Sequence, residues 1–388
     1  MLLIGGLLAA GCSSDSSSPT TVPGGTSSSA LSPESFTDNF TAMAGLRGLA
    51  AAGRGRVVVL LPDTSSSARY AEFDAPSLTR AFTTAGLGAA EFSVQNALGN
   101  DATQLAQAQA AIAAGATVLV VDPIDSDVGT AIESSAESHH VAVIDYDRLT
   151  EGGSRQYYVG FDNGQVGSLL GRGLVACVSA WGLAKPQVAV LTGSPTDSNA
   201  VEVATGSSAT LRPYFTSGKW VDAANLAATS DPATAESEFQ EASTNHRGIN
   251  AVLAPSDETA APIITYLKTL GTPAKKVPIT GQGATLIGLQ NIISGYQCGT
   301  IYEPIDAEAQ AAAALALYLR AHRVPPSALV NGKVSDRATH SAVPSVLLDP
   351  VWVTPANVAT TVIRDNFVTA AELCAGPYAA ACRVSNIG

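Results

Sequence analysis

Two α/β lobes, each built on a parallel sheet, are the architecture expected of this chain. From Gly55 onward, short apolar runs alternate with helical patterns in β-α-β-α order. The runs are nearly continuous in Val, Leu and Ile, as in RVVVLL from Arg56 and TVLVV from Thr117, which marks strands covered on both faces. The pattern then restarts at Gln156, and 388 residues exceed one ordinary core but suit two lobes and a tail.

In the first unit, strands are expected at Arg56–Leu61, Ala90–Gln95, Thr117–Val121 and Val141–Asp145. Between them lie helices at Asp74–Ala85, Asp101–Ala114 and Val128–Ser138, the second opened by Asp101 as its N-cap. In the second unit, strands fall at Gln156–Val159, Gln187–Thr192, Trp220–Leu226 and Ala251–Ala254, followed by Pro278–Thr280 and Cys298–Tyr302. Helices occupy Gly164–Val178, Ala200–Arg212, Thr234–Ser243 and Glu258–Leu270. The segment from Ser32 to Gly53 reads as one short helix laid on the first lobe.

The N-terminus carries a different signal. The run MLLIGGLLAAG ends in small residues directly before Cys12, and this arrangement resembles a bacterial lipobox. That resemblance implies cleavage before Cys12 and a diacylglyceryl group on its thiol. No Lys or Arg precedes the run, a departure from the positive start of a signal peptide. Ser13 to Ser29 (SSDSSSPTTVPGGTSSS) has almost nothing apolar to bury and reads as a flexible tether. Of the other cysteines, Cys374 and Cys382 flank a Gly-Pro turn and are expected to pair. By elimination Cys177 would pair with Cys298, with buried free thiols as the other reading.

Composition excludes several function classes. The formal net charge is -12 and no basic cluster offsets it, which argues against nucleic acid as a partner. No GxSxG, HExxH or P-loop occurs, and His139, His140, His246, His322 and His340 form no spaced constellation, so no enzyme chemistry is expected. Without CxxC or HxxxH spacing no metal is expected, and no motif calls for a cofactor.

Ligands of open parallel sheets bind beyond the carboxyl ends of the strands. The residues there are Asp63, Arg69, Tyr70, Asp122, Asp145, Asp147 and Arg148 in the first unit. In the second they are Ser194 to Asn199, Ser256, Asp257, Gln282 and Glu303. Carboxylates accept from hydroxyls, guanidinium groups donate, amides do both, and a ring such as that of Tyr70 covers the C–H face of a sugar. The expected ligand is a monosaccharide or related polyol held between the lobes.

Six blocks in order carry a resemblance to a known family: VIDYDR from Val143, YYVGFDNGQVG from Tyr157, TGSPTDSNA from Thr192, APSDETA from Ala254, TGQ from Thr280 and TIYEPI from Thr300. The tail from Ser345 to Asn366 fits as well. The chain resembles the type I periplasmic sugar-binding proteins, and among them the xylose-binding branch. The resemblance implies two Rossmann-like lobes joined by a three-crossing hinge near Asp162, Pro304 and Ser345. The lobes would then be 54–162 plus 304–345 and 163–303 plus 346–388, behind a signal peptide at 1–12 and a tether with its short helix at 13–53. It also implies ligand contacts from Arg69, Tyr70, Asp147, Arg148, Asn199 and Asp257.

The second lobe departs from the family pattern. Ser256 stands where Asn is usual, Gly283 where Asp is usual and Glu303 where Lys is usual, so a pentose-like guest other than xylose is expected. By this resemblance the protein is a monomeric, extracytoplasmic lipoprotein, held to the membrane through its lipid alone, that serves the permease and ATPase of an ABC importer. A sensor or structural lipoprotein with an altered sugar site is the second expectation.

Overall fold

The computed structural model describes residues 31–64, 67, 69–226 and 231–387. Cys12, the apolar run before it and the tether up to Ala30 lie outside the described residues.

The segment expected as one short helix forms two, α1 (Thr41–Gly45) and α2 (Arg47–Ala52). Phe36, Phe40 and Met43 anchor it by burial in the main core. The chain continues through β1 (Arg56–Leu61), a π-helical turn at Tyr70–Asp74 and α3 (Ala75–Thr84). Then follow β2 (Phe92–Asn96), α4 (Asp101–Ala113), β3 (Ala116–Val121), α5 (Ser126–Ser138), β4 (Ala142–Tyr146) and β5 (Tyr157–Phe161). Asn100, one residue before the expected Asp101, caps α4, its Oδ1 accepting from the Thr103 amide at 2.8 Å.

After α6 (Asn163–Ala180) come β6 (Gln187–Leu191), α7 (Ser198–Thr216), β7 (Val221–Leu226), α8 (Pro232–Asn245), β8 (Ala251–Leu253) and α9 (Asp257–Thr269). The remainder is α10 (Leu286–Ile293), β9 (Thr300–Tyr302), α11 (Ile305–Arg320), β10 (Gly332–Ser335), β11 (Ala342–Leu348), β12 (Val351–Val353), α12 (Ala370–Leu373) and α13 (Ala379–Val384).

Among the described residues, β10-β11-β5-β4-β3-β1-β2 form one sheet, parallel throughout except at the β10–β11 edge. Its strands are apolar on both faces for a visible reason. Val57, Val59 and Leu61 of β1 enter one core, while Val58 and Leu60 point into another beneath α4 and α5. The second sheet starts as β7-β6-β8, all parallel. Single bridges Val252–Ile279 and Gln282–Ile301 carry it to β9, whose other side pairs antiparallel with β12.

The chain leaves the first sheet after β5, where Asp162 caps α6 by accepting from the Gln165 amide at 2.9 Å. It returns through α11, which packs on β3 and β4 and against α3. It leaves again only after Leu348, because β11 continues past Ser345 in register with β5. In the second layer α6 and α7 approach so closely that a Cβ on Gly167 would meet the Val203 carbonyl, and one on Gly206 the Gly164 carbonyl. Cys177 on α6 is bonded to Cys298 before β9, with Cα atoms 6.1 Å apart. Cys374 is bonded to Cys382, with Cα atoms 5.7 Å apart, in a small core with Val362 and Leu373. No helix among the described residues is long and apolar enough to cross a membrane.

Candidate ligand-binding site

A cavity of about 490 Å³ lies where the carboxyl ends of the two sheets meet. Arg69, Tyr70, Asp147 and Arg148 line it from the first sheet; Asn199, Ser256, Gln282 and Glu303 line it from the second. Eight of the nine side chains singled out from sequence thus converge on one space of ordinary small-molecule size.

Arg69 is the hub of the first half. Its Nε and Nη2 donate to the two oxygens of Asp74 at 2.9 and 3.0 Å, its Nη1 to Asp147 at 2.9 Å, and its Nη2 also to Glu308 at 2.6 Å. The Tyr146 hydroxyl also donates to Asp74, so the carboxylate that aligns Arg69 is itself held. Such a clamp fixes the guanidinium before any ligand arrives, which reduces the ordering cost of binding. Tyr70 donates from its hydroxyl to Asp147 at 3.2 Å, and its ring has the Arg69 and Arg148 guanidinium carbons at 5.8 and 5.3 Å from its centroid.

Asp147 occupies a strained position, with φ of 60°. Two donors hold its carbonyl there: the Tyr158 hydroxyl at 2.9 Å and the Asn199 Nδ2 at 3.0 Å. The bend turns the Asp147 side chain and the following Arg148 into the cavity. Burial raises the pKa of Asp147, opposed by Arg69 and Arg148.

In the second half, the Gln282 amide donates both to Oε1 and to Oε2 of Glu303, at 3.0 and 3.1 Å. Glu303 is buried, and burial pushes its pKa up to about 7 against the attraction of Arg69. Ser256 faces the cavity but its hydroxyl already caps α9, accepting from the Thr259 amide at 3.1 Å. Gly283 has φ of +113° and leaves the cavity open beside it.

Asp257 is the exception. Its carboxylate turns away from the cavity, into the space left by Gly281 and Gly288, whose Cβ atoms would otherwise collide with it. It accepts from the Thr285 amide at 2.9 Å, the Thr285 hydroxyl at 3.2 Å and the Gln297 amide at 2.6 Å, tying α9 to α10. Asp257 therefore departs from the sequence expectation: it braces the wall and does not line the cavity. Asp122 and Asp145 likewise stand behind the surface. Asp122 pairs with Arg148 at 3.4 Å, and Asp145 accepts from the Thr150 amide at 2.7 Å.

Sequence reasoning missed Phe73 and Phe367, which stack on each other in the cavity wall with ring centroids 4.1 Å apart and bring the tail against the π-helical turn. It also missed Asp74 and Glu308, the carboxylates that orient Arg69. Glu308 sits in an alanine-rich run with no apolar stripe to mark it, and nothing near Phe367 marked that ring. Among the described residues no group of three or more His, Cys, Asp or Glu is arranged to hold a metal.

The periplasmic binding protein domain matches residues 58–322. The D-xylose-binding periplasmic protein of Escherichia coli (strain K12) is 35% identical over 296 residues, 74% of this chain and 84% of that protein. The D-xylose-binding periplasmic protein of Haemophilus influenzae is 33% identical over 297 residues, covering 73% and 82%. Among solved structures, an ABC transporter solute-binding protein from Clostridium phytofermentans with bound β-D-glucose superposes with a TM-score of 0.73. It is 24% identical, and the match covers 82% of this chain and 99% of that one, a likeness of fold. These relatives are binding proteins rather than enzymes, and with its two sheets facing one cavity this chain belongs to the periplasmic binding protein family.

Proposed function

We propose that the chain is an extracytoplasmic solute-binding lipoprotein that captures a pentose-like monosaccharide or related polyol and delivers it to the permease and ATPase of an ABC importer. The observation that carries this reading is the convergence, on one cavity of about 490 Å³, of donors and acceptors from two separate sheets beside aromatic faces. Arg69 and Arg148 donate to hydroxyl oxygens, Asp147 and Glu303 accept from hydroxyls, Asn199 and Gln282 do both, and Tyr70 and Phe73 cover apolar ring faces. Ser256 lends the rim of α9. The sugars named in the relatives support the ligand class.

In this reading the lobes are 54–162 plus 304–345 and 163–303 plus 346–388, with the third crossing extended to Leu348. They close by a hinge because a guest touching both lobes binds the closed form better. A diacylglyceryl group on Cys12 anchors the monomer to the outer face of the membrane. Calorimetry with pentoses, hexoses, polyols and cyclitols tests it. A true ligand at a hundredfold over Kd stabilises the fold by about 2.7 kcal/mol. A broad panel that leaves the melting temperature unmoved refutes the capture reading.

A further inference from the structure

The cavity wall is unbalanced in charge. Six carboxylate residues line it (Glu72, Asp147, Asp197, Glu258, Glu303 and Glu372) against the two guanidinium groups of Arg69 and Arg148. Both guanidinium groups are already committed. Arg69 donates to Asp74, Asp147 and Glu308, and Arg148 to Asp197 and Asp122. Glu303 has a weaker hold on positive charge. Its hydrogen bonds come from the neutral Gln282 amide, and the nearest ion-pair contact, Arg69 Nη1, is 4.0 Å away. Gly283, next to Gln282, adds no side chain to the cavity that Glu303 also lines.

Building on the capture reading above, we infer that Glu303 selects the charge of the guest, and that the preferred solute is a hydroxyl-rich molecule carrying a protonated amine, an amino sugar or aminocyclitol. An ammonium beside Glu303 in the cavity gives its carboxylate the counter-charge that Arg69 shares among three other acids. A buried carboxylate without its own cation is costly, and the guest removes that cost on binding. A neutral sugar offers Glu303 hydroxyl donors but no compensating positive charge. A uronate or sugar phosphate brings a further negative charge into a wall whose cations are occupied, and is repelled. The direction of the Glu303 titration, upward through burial, agrees with a carboxylate lacking a full partner.

The test is calorimetry on the full chain at pH 7 with matched sets: glucose, galactose, mannose and myo-inositol, each beside its amine and, for the hexoses, its uronate. At least one amine is expected to bind tenfold or more tightly than its neutral parent, with the uronates weakest. In Glu303→Gln the amine-to-neutral ratio falls to about one. The preference in the wild-type chain is a readout that does not depend on any variant folding. If no amine outbinds its neutral parent and its uronate, or if an amine preference survives in Glu303→Gln, this inference is overturned while sugar capture stands. Binding by no member of this panel also overturns this inference, while the capture reading is decided separately by the broader panel that includes pentoses.

Discussion

Arg148 Nε lies 3.0 Å from the Asp197 carboxylate, one residue following β4 of the first sheet and the other capping α7 above the second. The same guanidinium reaches back to Asp122 at 3.4 Å, so a single side chain bridges the layers and neutralises a buried acid. Asn199 and Ser198 reinforce the junction from α7. The Asn199 Nδ2 donates to the Asp147 carbonyl at 3.0 Å, and the Ser198 hydroxyl to the Leu149 carbonyl at 3.0 Å.

Arg148→Ala is therefore expected to abolish ligand binding, a loss of at least a hundredfold by calorimetry. It removes a donor from the cavity and leaves Asp122 without its cation, and breaking a buried pair costs about 3–5 kcal/mol. Wild-type affinity in this variant would take Arg148 out of the site.

Asp257→Ala separates bracing from binding. The substitution removes the acceptor of the Thr285 amide and one of the two acceptors of the Gln297 amide, which keeps the Gly299 carbonyl at 3.3 Å, and a buried donor left unsatisfied costs about 1–3 kcal/mol. The expected result is a lower unfolding free energy with ligand affinity within a fewfold of wild type at temperatures where the variant is folded. Loss of affinity from a folded variant would return Asp257 to the ligand.

The order of elements through α9 was legible chiefly because the central strands bury both faces and read as continuous apolar runs, while helices burying one stripe leave a 3.6-residue period. The strand ends pointed to the cavity for the same reason. Two features were not legible. Helix α11 is buried nearly all round, and a helix of alanines carries no apolar stripe to detect, so Glu308 within it went unread. Asp257 opens α9 as Asp147 follows β4, yet one turns into the wall and the other into the cavity. That choice depends on Gly281 and Gly288 making room, a packing fact that no local pattern records.

The two disulfides should differ in worth. Cys177–Cys298 closes a segment of 121 residues and Cys374–Cys382 one of 8. By loop-closure entropy the first contributes about 5 kcal/mol and the second about 2.5 kcal/mol. Replacing each pair by Ser in turn and unfolding in guanidinium should show the larger loss for 177/298. Equal or reversed losses would mean that local packing, not chain entropy, sets their contribution.

Glu303 also makes stability depend on pH, with a defined sign. Burial raises its pKa from 4.5 to about 7 in the folded chain, with Arg69 opposing, so the native state holds this proton more tightly than the unfolded one. The associated stability is complete below the unfolded value of 4.5 and is lost as pH rises through about 7. A shift of that size corresponds to about 3 kcal/mol. Glu303→Gln removes the titration, so its stability relative to wild type should rise by about that amount between pH 4.5 and 8. Asp257, also pushed up to about 7 by burial and by Glu258, adds a dependence of the same sign that both proteins share and that cancels in the difference. Urea unfolding of the two proteins across that range is the measurement, and a difference that stays flat with pH would show that Glu303 is ionised in the native cavity throughout.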